Sequence, residues 1–412
     1  MTPLVPAPAA SDAELWRASA AAGGEDSQVV RYLDLLLAHA HGLRASDLHF
    51  EPYEAAYRVR MRVDGRLREV GAPPAALKER VASRIKVLAR LDIAEKRLPQ
   101  DGRMRHAVGP QQTADFRVST LPTLHGEKVV VRLLDTGPGQ LDLDALGYEP
   151  AQKAALLEAI HRPWGMVLVT GPTGSGKTLS MYSALALLNT VGQNISTAED
   201  PSEINLPGIN QVNINEKAGL TFAVALRAFL RQDPDVIMIG EIRDFETADM
   251  ALKAAQTGHL VLSTLHTNDA PTSLVRLRHM GLAAYHIAAS LALVTAQRLV
   301  RKLCTACRRP LAVPEPVLRQ AGFAPDELDG SWLPWAPVGC ERCQQGYQGR
   351  TGVFQVMPVS EAMQALILRE ASSLEVAQQA AREGVLTLRQ AGLRKVKLGQ
   401  TSLEEILTHT HS

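Results

Sequence analysis

Eight consecutive residues, Gly171-Pro172-Thr173-Gly174-Ser175-Gly176-Lys177-Thr178, fit the phosphate-loop pattern G-x-x-x-x-G-K-[ST] at every fixed position. The chemistry this pattern serves is binding of a nucleoside triphosphate. Its glycines let successive backbone N–H groups turn inward around a β-phosphate, and the first turn of a following helix adds its positive end. Lys177 is then the cation for the β- and γ-phosphates, and Thr178 the hydroxyl ligand of Mg²⁺. The pattern needs an apolar strand before it and a helix after it. Met166–Thr170 supplies the first, and a helix is expected from Lys177.

Hydrolysis also needs carboxylates to orient water and assist the metal. The apolar segment Val236–Ile239 ends in Gly240-Glu241. A glycine stands where many phosphate-loop proteins carry Asp, so Glu241 must act without that neighbour. Glu199-Asp200 follows the expected strand Asn194–Ala198. In a parallel sheet the carboxyl ends of the strands line one crevice. Glu199 and Glu241 are therefore expected to converge on the γ-phosphate; the plainer reading makes them helix caps or surface carboxylates. His259 and His266 bracket the apolar segment Leu260–Leu265, and His266 is expected near the same crevice, sensing γ-phosphate or a neighbouring subunit.

All four cysteines fall in one arrangement, Cys304-x-x-Cys307 and Cys340-x-x-Cys343, with 32 residues between the pairs. Each pair chelates from one tight turn, and two pairs complete a closed tetrahedral thiolate site for structural Zn²⁺. The separation exceeds the common ~15–20 residues, which implies a larger loop between the two turns. Free thiols, a redox pair and a cluster are the other readings.

The elements that must position these groups fall into two styles. A helical period over Val29–Ala40 is followed by strand signals at Asp47–Glu51 and Tyr57–Val70, the latter turning at Asp64-Gly65. Ala75–Leu91 reads as an amphipathic helix, then strands recur at Arg103–Val108, Thr113–Leu121 and Lys128–Leu134. This is a mixed domain with an antiparallel sheet, ended by Gly137-Pro138-Gly139. From Trp164 onward strands alternate with helices (Leu220–Arg231, Phe245–Thr257), which implies a parallel sheet with helices on both faces. Glu361–His409 is mostly helical.

Composition narrows the rest. The 412 residues favour two or three domains, and 46% hydrophobic with 21% charged residues excludes disorder over most of the length. A formal net charge of +1 removes a whole-chain basic footprint for nucleic acid, and 4% aromatics argues against a base-stacking platform. No secretory signal is visible at the N-terminus. The tract Met280–Gln297 lacks Lys, Arg, Asp and Glu but carries Tyr285, His286, Ser290, Thr295 and Gln297, so it reads as a buried or interface helix rather than a membrane span. A cytoplasmic chain follows, with its cysteines as thiols or metal ligands.

With these motifs assembled, the chain resembles the type II secretion and type IV pilus assembly ATPase family over roughly Val29 to Ile406. The landmarks are ASDLHFEP (Ala45–Pro52), VDGR (Val63–Arg66), KRLPQDGR (Lys96–Arg103), FRVSTLPTLHGEKVVVR (Phe116–Arg132), AEDPSE (Ala198–Glu203), LRQDPDVIMIGEIRD (Leu230–Asp244), TGHLVLSTLHTND (Thr257–Asp269), AQRLVRKLC (Ala296–Cys304) and GRTGVFQVMP (Gly349–Pro358). The resemblance implies a cytoplasmic homo-hexameric ATPase using ATP, Mg²⁺ and Zn²⁺. It would sit peripherally on the inner membrane and drive assembly of pilin-like subunits through a platform protein. It implies an α/β fold: an α+β PAS-like domain (28–136) after a flexible leader (1–27), a linker (137–150), a RecA-like core (151–300), a tetracysteine zinc subdomain (301–350) and a C-terminal helical subdomain (351–412). It assigns Glu199, Asp200 and Glu203 to an Asp box, Glu241 to the Walker B end, and His259 and His266 to a His box. Arg117 and Arg132, with Arg227, Arg231 and Arg243, match arginines that complete the nucleotide site, some across subunit boundaries. The tetracysteine motif is common in extension and secretion members, whereas retraction members lack it. Secretion members usually carry a further N-terminal docking domain, and here only residues 1–27 precede the PAS-like module.

Two other classes compete. A nucleic-acid translocase on the same core would track phosphates with Arg58, Arg60, Arg62, Arg66 and Arg68, but the near-zero net charge and the lack of interleaved aromatics beyond Tyr57 disfavour it. A non-enzymatic adaptor would be marked by loss of Lys177, Glu199 or Glu241, and all three are present.

Overall fold

The computed structural model describes residues 14–21, 24–134 and 141–410. The chain divides into two units, Met1–Thr136 and Gly137–Ser412. The expected Gly137-Pro138-Gly139 linker, and most of the expected leader, lie outside the described residues.

Strict alternation builds the first unit. Strands β1 (Asp47–Pro52), β2 (Tyr57–Val63), β3 (Arg66–Val70), β4 (Gln100–Gly109), β5 (Gln112–Thr123) and β6 (Gly126–Leu133) form one antiparallel sheet in the order β3-β2-β1-β6-β5-β4. In β2, Tyr57, Val59, Met61 and Val63 are buried while the arginines between them face the other way. Asp64 and Gly65, at φ 48° and 84°, close the β2–β3 hairpin in the left-handed conformation that a two-residue turn requires. Helices α2 (Glu25–Gly42) and α3 (Lys78–Leu88) cover the apolar face. The six apolar positions of the Val29–Ala40 period are the six that α2 buries. A short α1 (Leu15–Ala18) packs there too, with Leu15 buried and the Trp16 ring edge-on to Tyr32 at 5.5 Å.

The opposite face of this sheet is polar. Register sets Arg62, Asp47, Arg132, Arg117 and Arg103 in one row across five strands. Two same-face positions along β1 from Asp47, Glu51 accepts from Arg58 Nε at 3.1 Å and from Arg60 at 2.7 and 2.8 Å, with Lys128 Nζ at 3.3 Å. Burial alone would push the Glu51 carboxyl up, but the bonds from Arg60 and Lys128 overcome it and hold it down at about 2. The arginines of β2 are thus bonded within their own sheet.

The second unit is a doubly wound sheet. Its seven strands are β7 (Gly165–Thr170), β8 (Ile195–Glu199), β9 (Asn210–Asn213), β10 (Val236–Ile239), β11 (Leu260–Leu265), β12 (Leu291–Leu303) and β15 (Tyr347–Pro358), in the order β15-β12-β7-β11-β10-β8-β9. Six are parallel and β15 pairs antiparallel with β12. Every residue of β7, β8, β10 and β11 is buried, as a sheet covered on both faces demands. On one face Val167 and Val169 pack with α4 (Leu143–Leu146), α5 (Pro150–Ile160) and α6 (Lys177–Leu188). On the other, Met166 and Leu168 join α7 (Phe222–Phe229), α8 (Phe245–Gln256), α9 (Ala270–His279) and α10 (Ala284–Ser290). The same core takes in α11 (Glu315–Ala321), α12 (Glu361–Leu368), α13 (Ser373–Arg382), α14 (Leu388–Lys397) and α15 (Leu403–His409).

The expected helix over Met280–Gln297 is corrected. Only Ala284–Ser290 is helical, and from Leu291 the tract is β12, hydrogen-bonded to β7 on one side and β15 on the other. Leu291–Gln297 is buried throughout, and a continuous apolar run fits a two-sided strand as well as a helix. β12 and β15 pair as far as Leu303 and Tyr347, so residues 304–346 leave and re-enter the sheet at one place. A two-residue ladder, β13 (Arg309–Pro310) with β14 (Trp335–Ala336), lies inside that excursion. Beside its root the buried Arg301 donates to Glu405 Oε1 at 2.6 and 3.0 Å and stacks 3.7 Å over the Tyr347 ring, fastening α15 to β12.

Candidate nucleotide site and cysteine cluster

Four neighbouring strands, β7, β11, β10 and β8, end on the same side of the sheet, and each delivers one expected group. The phosphate loop follows β7, His266 follows β11, Gly240-Glu241 follows β10 and Glu199 ends β8. Two glycines of the loop are fixed by what lies behind them. Gly171 has φ 150°, and a Cβ there would lie 2.5 Å from the Gln297 carbonyl oxygen; at Gly176, φ 89°, it would lie 2.8 Å from Gln297 Nε2. The middle of β12 therefore backs the loop, and Gln297 Oε1 also accepts from Ser180 Oγ at 2.8 Å. The Ser175 hydroxyl is buried inside the loop without a hydrogen-bond partner, a donor placed for an anion.

Lys177 Nζ donates to the carbonyls of Gly171 and Pro172 at 2.8 and 3.3 Å, so the ammonium is held over the loop. Burial lowers its pKa to about 8, with the charge of Glu241 pulling the other way and that of Arg298 adding to the fall. Thr178 stands next on the first turn of α6.

Glu241 is fixed by the backbone around it. Gly240 N–H donates to Ala198 O at 2.8 Å, and Ile242 N–H to Thr264 O at 3.0 Å, so the residues after β10 remain stitched to both neighbouring strands. The carboxylate accepts from Arg243 on one oxygen and meets His266 Nε2 at 3.3 Å on the other. Burial would raise its pKa, but Arg243 and then His266 reverse this, and the net shift is downward. Glu241 is thus an anion whose charge acts on Lys177. Glu199 is 4% exposed.

The other nominated residues divide. His259 stands at the start of β11, where its Nδ1 meets Ala254 O at 3.0 Å and closes the end of α8; six strand residues, about 20 Å, separate it from His266. Arg243 reaches Glu241 and lies 3.9 Å from Asp200, whereas Arg227 pairs with Glu246 and Arg231 donates to the Arg227 carbonyl. Arg117 and Arg132 share the polar face of the first unit, Arg132 Nε lying 2.9 Å from Asp47. Gln297 lies in the AQRLVRKLC stretch, which assigns it no role, and Tyr182 carries no motif signal: their contacts cross 117 and 17 residues of sequence, and only the fold brings them in.

The four thiols gather as their spacing requires. All Sγ atoms lie within 4.8 Å of one another, with the 304–340, 307–343 and 340–343 pairs at 3.9, 3.6 and 3.6 Å. A tetrahedron with Zn–S near 2.3 Å has edges of about 3.8 Å, so the donor set fits a tetrathiolate zinc ion. Gly339 and Cys340 N–H groups donate to Cys307 and Cys343 Sγ at 3.3 and 3.2 Å, which fixes the orientation of those two sulfurs. Purified protein is therefore expected to carry about one Zn²⁺ per chain, released by a strong chelator or mild acid. Cys304→Ser should lose the metal and loosen residues 304–343 while nucleotide binding survives; elemental analysis without zinc, or a visible absorbing cluster, would overturn this.

The profile of the type II/IV secretion system protein family matches residues 23–408. The chain belongs to this family. Among its relatives, the type IV pilus assembly ATPase PilB of Acinetobacter baylyi is 56% identical over 383 residues, covering 93% of this chain and 66% of the relative. The type II secretion system protein E of Dickeya dadantii is 47% identical, covering 94% of this chain and 77% of the relative. The chain thus spans about two thirds of the length of the pilus relative. A crystal structure of the Legionella pneumophila ATPase DotB superimposes with a TM-score of 0.66 at 22% identity, covering 92% of this chain and 94% of that one, and shows the same fold. Family membership accounts for the shared α/β architecture. Among the described residues no helix is long and apolar enough to cross a membrane.

Proposed function

We propose that this chain is an ATPase motor subunit of a pilus or secretion system. It hydrolyses ATP and couples turnover to assembly of pilin or pseudopilin subunits. The observation that carries the reading is that Lys177, on the loop after β7, and Glu241, after β10, stand at the same end of the sheet, with the Glu241 charge acting on the lysine. In this reading the loop Gly171–Thr178 cradles the triphosphate. Glu241 takes the proton of the attacking water, with His266 and Arg243 orienting its carboxylate, and Glu199 supports the same crevice. Thr178 would hold Mg²⁺, which when bound would supply charge neutralisation at the phosphates. The family names of the relatives support the motor role, and by the same likeness we propose a homo-hexamer at the cytoplasmic face of the inner membrane, acting on a platform protein there. The functional parts are the leader 1–27, the PAS-like module 28–136, the linker 137–150, the core 151–300, the zinc subdomain 301–350 and the helical end 351–412.

Arg117 and Arg132 belong to this proposal as groups that complete a nucleotide site on ring closure. Such groups act mainly in the transition state. Purified chain with a non-hydrolysable ATP analogue should run as a hexamer in light scattering. Arg117→Ala and Arg132→Ala should each lower kcat while nucleotide affinity changes little. Unaltered kcat in both variants would remove the arginines from the site, and absence of phosphate release from the wild-type chain would remove the motor.

A further inference from the structure

Glu199 is a buried carboxylate whose hydrogen-bonding partners are all neutral. Thr197 Oγ1 donates to its Oε1 at 2.6 Å, Gln211 Nε2 donates to the same oxygen at 3.0 Å, and the Tyr182 hydroxyl donates to Oε2. The geometry follows from register. Thr197 and Glu199 are two apart on β8 and so share a face, and Gln211 on β9 sits directly beside Thr197. That face is the one covered by α6, the helix that begins with Lys177 and Thr178. Tyr182, one and a half turns along α6 and fully buried, reaches down to the carboxylate.

The tyrosine oxygen has a second task. It accepts the backbone N–H of Glu203 at 3.1 Å, in the acidic loop that follows β8. Gln211 closes the same loop from its other side, donating to Ile204 O at 2.9 Å and accepting from Leu206 N–H at 2.7 Å. Burial first, then the neighbouring Glu199 charge, raises the Tyr182 pKa, so the phenol stays protonated and remains a donor across the working pH range. One hydroxyl therefore joins three parts: the helix whose N-terminus carries the phosphate ligands, the Glu199 carboxylate, and the loop at residues 200–206.

We propose that Tyr182 is a positioning residue for nucleotide hydrolysis, assisted by Gln211: it locks Glu199 and the acidic loop to the helix that holds the phosphates, so that the carboxylate keeps one spacing from the reacting centre. This rests on the hydrolytic reading above. Among the described residues the Tyr182 hydroxyl bonds to Glu199 and Glu203 and to no phosphate-loop residue, so its loss leaves the binding groups in place. It acts on turnover because a carboxylate displaced by even about 1 Å loses much of its effect.

Tyr182→Phe keeps the ring and removes only the hydroxyl. The expected result is a fall in kcat of about 10- to 100-fold, with nucleotide Kd moving less than about threefold. The split between kcat and Kd separates positioning from mere packing, because packing damage would weaken nucleotide binding and lower Tm as well as slow turnover. Gln211→Met, which spares the tyrosine, should lower kcat in the same way with Kd little changed. The proposal is overturned if wild-type protein hydrolyses ATP and Tyr182→Phe matches it in kcat. It is equally overturned if Tyr182→Phe fails to fold while Gln211→Met behaves as wild type. A wild-type chain that binds ATP without turnover overturns the hydrolytic reading and this inference with it.

Discussion

Glu241→Gln should bind ATP and turn it over about 10²–10⁴-fold more slowly than the parent, the range that loss of a general base produces. The substitution preserves shape, and the backbone bonds that fix the residue, Gly240 to Ala198 and Ile242 to Thr264, do not involve the side chain. What disappears is the anion. Arg243 and His266, which now meet a carboxylate, meet a neutral amide instead. Binding persists because the groups aimed at phosphate, the loop amides, Ser175 and Lys177, are untouched. A second consequence can be measured independently. The Glu241 charge opposes the burial effect on Lys177, so without it the lysine pKa falls below about 8. Nucleotide affinity in the variant should then begin to weaken at a lower pH than in the parent. Phosphate release at the parental rate would show that Glu241 is not the base and would pass that role to Glu199.

Lys177→Ala should abolish hydrolysis, a loss of about 10³-fold or more, since a fixed cation at the transferring phosphoryl is among the largest electrostatic contributions a site makes. The pH dependence of the parent carries the same information with a definite sign. With the Lys177 pKa lowered to about 8, the cation is fully present below that value and is lost as pH rises through it. A triphosphate prefers the charged lysine, so affinity should be flat below pH ~8 and decline above it, with proton uptake on binding in that range. Lys177→Ala should lose that alkaline decline along with turnover. Calorimetry in two buffers of different ionisation enthalpy reads the proton uptake, and a pH-independent affinity up to pH ~10 would show that Lys177 does not face the phosphates.

Much of this was legible in the chain because the demands were local. The phosphate loop announces itself because positive φ at Gly171, Gly174 and Gly176 admits little but glycine. The helix over Val29–Ala40 shows because six apolar side chains recur at its period and all six are buried. β7 and β10 show as apolar runs bounded by turns, and β11 as one interrupted only by Ser263 and Thr264. What stayed hidden depends on pairing between distant segments. Leu291–Gln297 becomes strand because β7 and β15 flank it, and nothing in its own residues distinguishes that from a buried helix. The edge strand β9, Asn210–Asn213, carries a single apolar side chain, Val212, among three polar ones, and so shows no apolar pattern. His259 and His266 look like a pair because they bracket one strand, yet a strand separates its ends where a helix would stack them. Tyr182 reads as one more apolar position on α6, and its hydroxyl gains meaning only from Glu199 on the sheet face beneath it.

The root of the cysteine excursion has an architectural consequence. Leu303 and Tyr347 are ladder partners, so residues 304–346 amount to an insertion in the turn of a long β-hairpin. Closing a flexible chain of that length costs about 3 kcal/mol, and doubling it adds only about 0.6 kcal/mol. The sheet is therefore nearly indifferent to how much chain is inserted there, and a metal bound by the four thiols would offset part of the closure entropy. Such a segment is transplantable. A short turn joining Leu303 to Tyr347 would forfeit the packing of Leu318, Ala321 and Phe323 against the core, yet leave the β12–β7 register, and with it Gln297 behind Gly171, as it is. Evolution can thus lengthen, shorten or swap this appendage without retuning the nucleotide site a few residues up the same strand.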